Sequence, residues 1–220
     1  MNSNVPQGLT LIENAIDCET EEKLLTLIDE QVWSKCLKRD VQHYGFTYSY
    51  SARNLSEAPA IPLYFSQTAQ ELGLFTGADG THKHPTQVIV NRYQPGQGIT
   101  AHCDHIGLFS NIIASLTLGS GASMVFTKKG ETYELFLPMR SLVVLSDDAR
   151  YYWKHAIPAR KSDKVNGMRL RRGVRTSITY RTVIEDAPSC RIKEGAYFLR
   201  ALKPVTLRVV NIIAVSNHLQ

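Results

Sequence analysis

Between Val88 and Val183 the chain is a succession of short, β-branched runs cut by turn residues. Ile112 to Leu118 ends at Gly119-Ser120-Gly121, Ala122 to Thr127 at Lys129-Gly130, Thr132 to Leu137 at Pro138, and Ser141 to Leu145 at Asp147-Asp148. Further runs begin at Val88 and cover Tyr151 to Ile157 and Val174 to Val183. Strands this short, at this spacing, predict a sandwich or barrel rather than alternating βα units. A length of 220 residues leaves room for one domain with a sizeable core and little for two.

Outside that region the signals are sparser. Asp17 or Thr20 is placed to cap a helix over about 20–31, with an apolar face of Leu24, Leu25, Leu27 and Ile28. A short helix is expected around 63–72, and loops over 54–62 and 73–85. Residues 1–10 read as loose. Tyr44, Phe46, Tyr48 and Tyr50 alternate as one face of a strand, which serves either as an aromatic core face or as a stacking surface for a base. No role follows for residues 185–220.

The chemistry starts at Val88-Ile-Val-Asn-Arg-Tyr-Gln-Pro-Gly-Gln-Gly-Ile-Thr-Ala-His-Cys-Asp104. On the opening strand Asn91 and Tyr93 share a face. Pro95, Gly96 and Gly98 then turn the chain toward His102-Cys103-Asp104. If that tripeptide is extended, His102 and Asp104 point the same way, supplying two of the three ligands of a facial iron site. His155, several strands downstream, is the candidate third. Zinc sites also use two histidines and a carboxylate, so this pattern alone leaves the metal open.

Arg175-Thr-Ser-Ile-Thr-Tyr-Arg181 narrows the choice. At period two, Arg175, Ser177, Thr179 and Arg181 share one face, and Thr176, Ile178 and Tyr180 the other. Burying such a polar face is costly unless an anion sits against it. The planar fork of arginine suits a carboxylate. A dicarboxylate that chelates a metal at one end and meets an arginine at the other is 2-oxoglutarate. Asn91 and Tyr93 stand ready to add an amide and a phenol to the same ligand.

Asn-x-Tyr at 91–93, Pro-Gly-Gln-Gly at 95–98, His-x-Asp at 102–104, Ser-Leu-Thr-Leu-Gly at 115–119, Arg-Ser-Leu at 140–142, Ala-Arg-Tyr at 149–151, His155 and Arg-x-Ser-x-Thr-x-Arg at 175–181 occur in this order. Together they resemble the AlkB-type Fe(II)/2-oxoglutarate dioxygenases, over roughly Arg39 to Val183. Tyr-Gln-Pro-Gly-Gln-Gly-Ile99 and Leu-Arg-Arg-Gly-Val-Arg-Thr-Ser177 look most like the branch acting on a tRNA wobble uridine. That branch carries RNA-recognition and methyltransferase domains for which this sequence has no counterpart. Repair members often place another acidic residue after His-x-Asp, where this chain has His105-Ile106-Gly107.

The resemblance implies a mainly β fold with flanking helices, built on a double-stranded β-helix or jelly-roll core. Residues 1–87 would hold N-terminal helices and a substrate lid, 88–184 the dioxygenase core, and 185–220 a tail. His102, Asp104 and His155 would hold Fe(II), with 2-oxoglutarate and O₂ as cosubstrates. Arg175 would meet the far carboxylate, with Tyr93 nearby, and Asn91, Ser177 and Arg181 would surround the metal-proximal end. The reaction would release succinate and CO₂ and hydroxylate a C–H bond; an N-methyl group hydroxylated in this way departs as formaldehyde.

A formal charge of +5 is compatible with a polyanionic partner without requiring one. Basic residues concentrate in Arg160–Gly173, and Lys164, Arg169 and Arg171 there, together with Lys35, Lys38 and Arg39 before the aromatic strand and with Tyr48 and Tyr50, are the candidates for holding tRNA or single-stranded DNA or RNA around an extruded base. The bland reading of that stretch is a solvated loop. The expected function is hydroxylation or oxidative demethylation of a nucleic acid base. Its alternatives are the same chemistry on a protein side chain, a non-catalytic nucleic-acid-binding module, and a zinc hydrolase, which would have no use for Arg175 and Arg181. No membrane span or signal peptide is visible, and the widely spaced Cys18, Cys36, Cys103 and Cys190 fit a reducing cytoplasmic or nuclear location. A monomer is expected.

Overall fold

A computed structural model describes residues 5–35, 38–49, 54–75 and 84–184. Before the central region come β1 (Leu9–Ile12), α1 (Cys18–Asp29), β2 (Asp40–Tyr44), β3 (Phe46–Ser49), β4 (Asn54–Glu57) and α2 (Leu63–Glu71). Then follow β5 (Gln87–Tyr93), β6 (Ile99–His102), β7 (Phe109–Gly119), β8 (Ala122–Lys128), β9 (Glu131–Leu137) and β10 (Leu142–Leu145). The chain continues through α3 (Asp147–Tyr151), β11 (Lys154–Ile157), β12 (Ser162–Val165), β13 (Met168–Arg171) and β14 (Arg175–Val183).

The strands form a six-stranded sheet ordered β1-β10-β7-β14-β5-β2 and a four-stranded sheet ordered β6-β11-β8-β9, with β3–β4 and β12–β13 as separate hairpins. All of these pairings are antiparallel. Alternation along the central strand β14 divides the interior. Ile178 and Tyr180, with Val88, Val90, Leu116 and Leu118, turn to a core closed by Leu24 and Ile28 of α1 and Phe65 and Ala69 of α2. On the other side, Ile113, Val143 and Leu145 of the large sheet meet Met124, Phe126, Leu137 and Ile157 of the small one. The jelly-roll expectation is met: two sheets enclose an interior while α1 and α2 cover one outer face.

Helix α1 starts as the sequence predicts. Asp17 has extended backbone and its Oδ1 accepts from Thr20 N at 2.8 Å. Glu21 ties the helix to the sheet by accepting from Gly119 N at 2.8 Å and from Arg140 Nη1 at 3.0 Å.

Several expectations need correction. The aromatic strand over 44–50 is interrupted at Gly45, whose φ of +75° ends β2 and starts β3. Tyr44 is buried in the helix-side core, with its ring 5.4 Å from that of Phe65, so it shares no open face with the hairpin that follows. Tyr48 lies on β3, while Tyr50 lies outside the described residues. The loop expected over 54–62 contains β4, and the loose start contains β1, which pairs with β10. Residues 147–151 form α3, so the run from Tyr151 becomes a strand only at Lys154.

The basic stretch 160–173 is a hairpin rather than a plain loop. Asn166 and Gly167, with φ of +49° and +82°, form its two-residue turn, and Asn-Gly is the strongest short sequence signal for such a turn. Buried Asp163 anchors the hairpin, accepting from Arg160 Nε at 2.8 Å and from Arg172 Nε at 2.6 Å.

The Gly45 break is testable. A Cβ there would stand 2.0 Å from Thr86 O, whereas one at Gly130, also left-handed with φ +88°, would meet nothing. Gly130→Ala should cost about 1 kcal/mol, the backbone penalty alone. Gly45→Ala should cost clearly more, with a correspondingly lower midpoint in urea unfolding. Equal midpoints would show that the Thr86 backbone yields freely.

Candidate active site

The pocket between the sheets is lined by Asn91, Tyr93, His102, Asp104, His155, Arg175, Ser177, Thr179 and Arg181, closed by apolar residues that include Ile113, Met124 and Ile157. Register explains the assembly. Strand β14 sets Arg175 beside Tyr93 and Ser177 beside Asn91 on β5, while β11 sets His155 opposite His102 on β6. An open basin of about 550 Å³ lies elsewhere, at the β8–β9 turn, lined by Lys128, Lys129, Tyr152 and Lys154 among others. It includes none of these pocket residues and has no comparable donor set.

The two imidazoles are stacked obliquely, with centroids 4.5 Å apart. His102 Nδ1 donates to Thr100 O at 2.8 Å, which leaves Nε2 with its lone pair. His155 Nε2 is 3.7 Å from Asp104 Oδ2. The other carboxylate oxygen, Oδ1, accepts from Arg181 Nη2 at 2.5 Å. Asp104 is thus held by one oxygen and offers the other toward the histidines. Among the described residues no three His, Cys, Asp or Glu side chains stand close enough together to hold a metal ion without moving. Ligands bonded at about 2.1 Å stand about 3 Å from one another in a compact site, so the 3.7 Å gap needs only a small side-chain adjustment. Two neutral imidazole nitrogens and one carboxylate oxygen are the donors of a facial Fe(II) site.

The arginine end calls for an anion. Arg175 is 4% exposed, donates through Nη2 to Thr117 Oγ1 at 2.9 Å, and lies 5.6 Å from the centroid of the Tyr93 ring. Its Nε has no partner, and none of the described carboxylates pairs with it. Burial lowers its pKa, against a smaller opposing pull from Tyr93. Arg181 Nη1 donates to Gln87 Oε1 at 3.0 Å, and its Nε is likewise unpartnered. Arg175, a buried cation with no carboxylate partner among the described residues, fits a site completed by a carboxylate ligand. On these observations the residues present suit both the metal and a dicarboxylate.

Sequence reasoning missed the roles of three contributors. Thr117 orients Arg175, and Arg39 meets Asn91 Oδ1 at 2.7 Å. Arg150, 2% exposed, donates to the carbonyls of Asp104 and His105 at 2.9 and 3.2 Å and to those of Phe109 and Ser110 at 3.3 Å each. It thereby closes the loop that carries Asp104. The Ala-Arg-Tyr motif at 149–151 was its only trace in the sequence. Lys164, Arg169 and Arg171 lie on the β12–β13 hairpin, outside the pocket lining.

Burial pushes the Asp104 carboxyl up, but Arg181 foremost, then His155, Arg150 and His102, bring it down to about 2. Burial depresses His155 to about 4, against the opposing pull of Asp104. The sign of the pH effect follows. Between about 4 and the ordinary 6.5, only the unfolded chain protonates His155, so stability falls as the pH drops through that window. Asp104 contributes its own loss only below its ordinary 3.8. Metal-free protein should lose on the order of 2 kcal/mol through His155 between pH 7 and 4.5. In urea unfolding, His155→Asn should show a smaller drop over the same interval. An equal drop would place the acid sensitivity elsewhere.

Comparison with known proteins supports the same chemistry. The 2OG-Fe(II) oxygenase superfamily matches residues 27–181. The chain is 38% identical to uncharacterized protein L905 of Acanthamoeba polyphaga mimivirus, covering 81% of this chain and 86% of that protein. It is 33% identical to the mouse tRNA (carboxymethyluridine(34)-5-O)-methyltransferase ALKBH8, over 81% of this chain but only 31% of the mouse protein. The structure of OsALKBH1 superposes with a TM-score of 0.62 at 14% identity, covering 81% of this chain and 98% of that one, and so shares the fold. The chain belongs to the 2OG-Fe(II) oxygenase superfamily, as an AlkB-type Fe(II)- and 2-oxoglutarate-dependent dioxygenase.

Proposed function

We propose that this protein hydroxylates or oxidatively demethylates a base in tRNA or single-stranded nucleic acid. In this reading His102, Asp104 and His155 hold Fe(II). Arg175 receives the far carboxylate of 2-oxoglutarate beside Tyr93, while Asn91, Ser177 and Arg181 surround the end nearest the metal. The bound metal and cosubstrate supply, with O₂, the oxidant for a C–H bond. The chain's own residues do the positioning. Arg181 keeps Asp104 ionised and turned, and the cross-strand pairing of His102 with His155 sets the spacing of the imidazoles. Apolar Ile113, Met124 and Ile157 exclude water from the pocket wall.

The nucleic acid part rests on the β12–β13 hairpin. Arg160 and Arg172 are neutralised by Asp163, and Arg160 also pairs with Glu134. Lys164, Arg169 and Arg171 have no carboxylate partner among the described residues, and all three are exposed. Three exposed cations without a carboxylate partner among the described residues, one of them bonded to Ser162 Oγ, suit phosphate contacts. The reading also agrees with the naming of the mouse relative as a tRNA-modifying enzyme.

Anaerobic protein given Fe(II) and 2-oxoglutarate should develop a weak visible charge-transfer band. His155→Ala should abolish it, and Arg175→Lys should raise the 2-oxoglutarate concentration that produces it, because an ammonium lacks the bidentate fork. Changing Lys164, Arg169 and Arg171 together to Glu should weaken salt-sensitive tRNA binding by about tenfold or more. Unchanged tRNA affinity in that triple variant would favour a protein side chain as the substrate.

A further inference from the structure

Asn91 is 7% exposed and lines the pocket beside Ser177. Its side-chain amide has an acceptor end and a donor end, and a carboxylate ligand needs the donor. Nothing in the strand itself decides which end faces inward, since an amide turns over by simple rotation about its last bond.

Arg39 decides it. The residue directly precedes β2, the strand that pairs with β5 at the edge of the large sheet. Its Nε donates to Asn91 Oδ1 at 2.7 Å. Arginine has five donors and no acceptor, so the amide oxygen must be the end that meets it. The NH₂ group is then turned the other way. The Arg39 guanidinium also lies 5.8 Å from the centroid of Tyr93, while that of Arg175 lies 5.6 Å from the same ring. None of the described carboxylates forms an ion pair with Arg39. It does contact two residues of the pocket, Asn91 and Tyr93.

We infer that Arg39 is a positioning residue for the cosubstrate: by holding Asn91 Oδ1 it commits the Asn91 amide to donate into the pocket, toward the carboxylate of 2-oxoglutarate. The inference rests on the proposed cosubstrate role of Asn91. Without Arg39 the amide is free to present its carbonyl to that carboxylate, replacing an attraction with a repulsion. Arg39 thus acts through Asn91 and need not touch the ligand itself.

Anaerobic titration of 2-oxoglutarate into the Fe(II)-loaded full chain, followed by the charge-transfer band, tests this. Arg39→Met keeps bulk over the Tyr93 ring and removes every donor. It should weaken 2-oxoglutarate binding about tenfold, the worth of one charge-assisted hydrogen bond. Fe(II) binding measured without cosubstrate should be unchanged, and Arg39→Lys, which still donates, should recover most of the loss. In an Asn91→Ala background, Arg39→Met should add nothing further. The same tenfold loss in that background would mean that Arg39 meets the ligand directly, and no loss in the native background would mean that it does not orient Asn91; either result overturns the inference. Absence of the band in the unmodified protein is a separate outcome. It would overturn the reading of the pocket as a cosubstrate site, and the inference with it.

Discussion

The contact on which the site depends is the buried ion pair between Arg181 and Asp104. It joins the middle strand of the large sheet to the loop that follows β6 of the small sheet, and so links the two halves of the fold at the point of chemistry. Two charges removed from water are costly, and removing one partner from such a pair typically costs about 3–5 kcal/mol. Here Arg150 and His155 share in stabilising the carboxylate, and Arg150 also satisfies two carbonyls of the same loop and two at the start of β7. The charge that would hold a dication is thus prepaid by neighbouring cations, and the carboxylate keeps one oxygen toward the histidines.

The rest of the pocket follows from where β14 lies. Flanked by β5 and β7, it is buried on both faces, and its period-two pattern is resolved by what covers each face. Apolar Ile178 and Tyr180 go to the helices, and the polar residues go to the space between the sheets. A face of two arginines, a serine and a threonine would be a liability in an ordinary sandwich core. Here it becomes a lining that waits for a ligand of opposite charge, which is how a stable scaffold comes to contain a polar interior.

That division was legible in the sequence because it depends on local alternation, and so was the Asp17 cap, which bonds to a residue three positions away. The histidines and Asp104 were legible as residue types, and the strand count brought them together. What escaped depends on contacts distant in sequence. The break at Gly45 is imposed by the approach of the Thr86 backbone, and nothing in the alternating tyrosines hints at it. Arg150 reads as a helix residue until the loop it satisfies is seen beside it. Arg39 reads as one of several cations, and only the pairing of β2 with β5 brings it to Asn91. The Asn166-Gly167 turn is the exception: its signal was present, and the surrounding charge obscured it.

The two histidines are cross-strand neighbours, whereas Asp104 lies beyond the end of β6 on a loop. The spacing of their backbones is therefore inherited from the hydrogen-bonded ladder. The carboxylate is held instead by Arg181, and its loop by Arg150. The proposed centre thus combines a cross-strand pair with a third arm held by side-chain contacts rather than by a ladder. Were these three side chains to hold an ion as proposed, its exchange with solvent would depend on movement of the Asp104 loop, which the guanidiniums of Arg181 and Arg150 restrain.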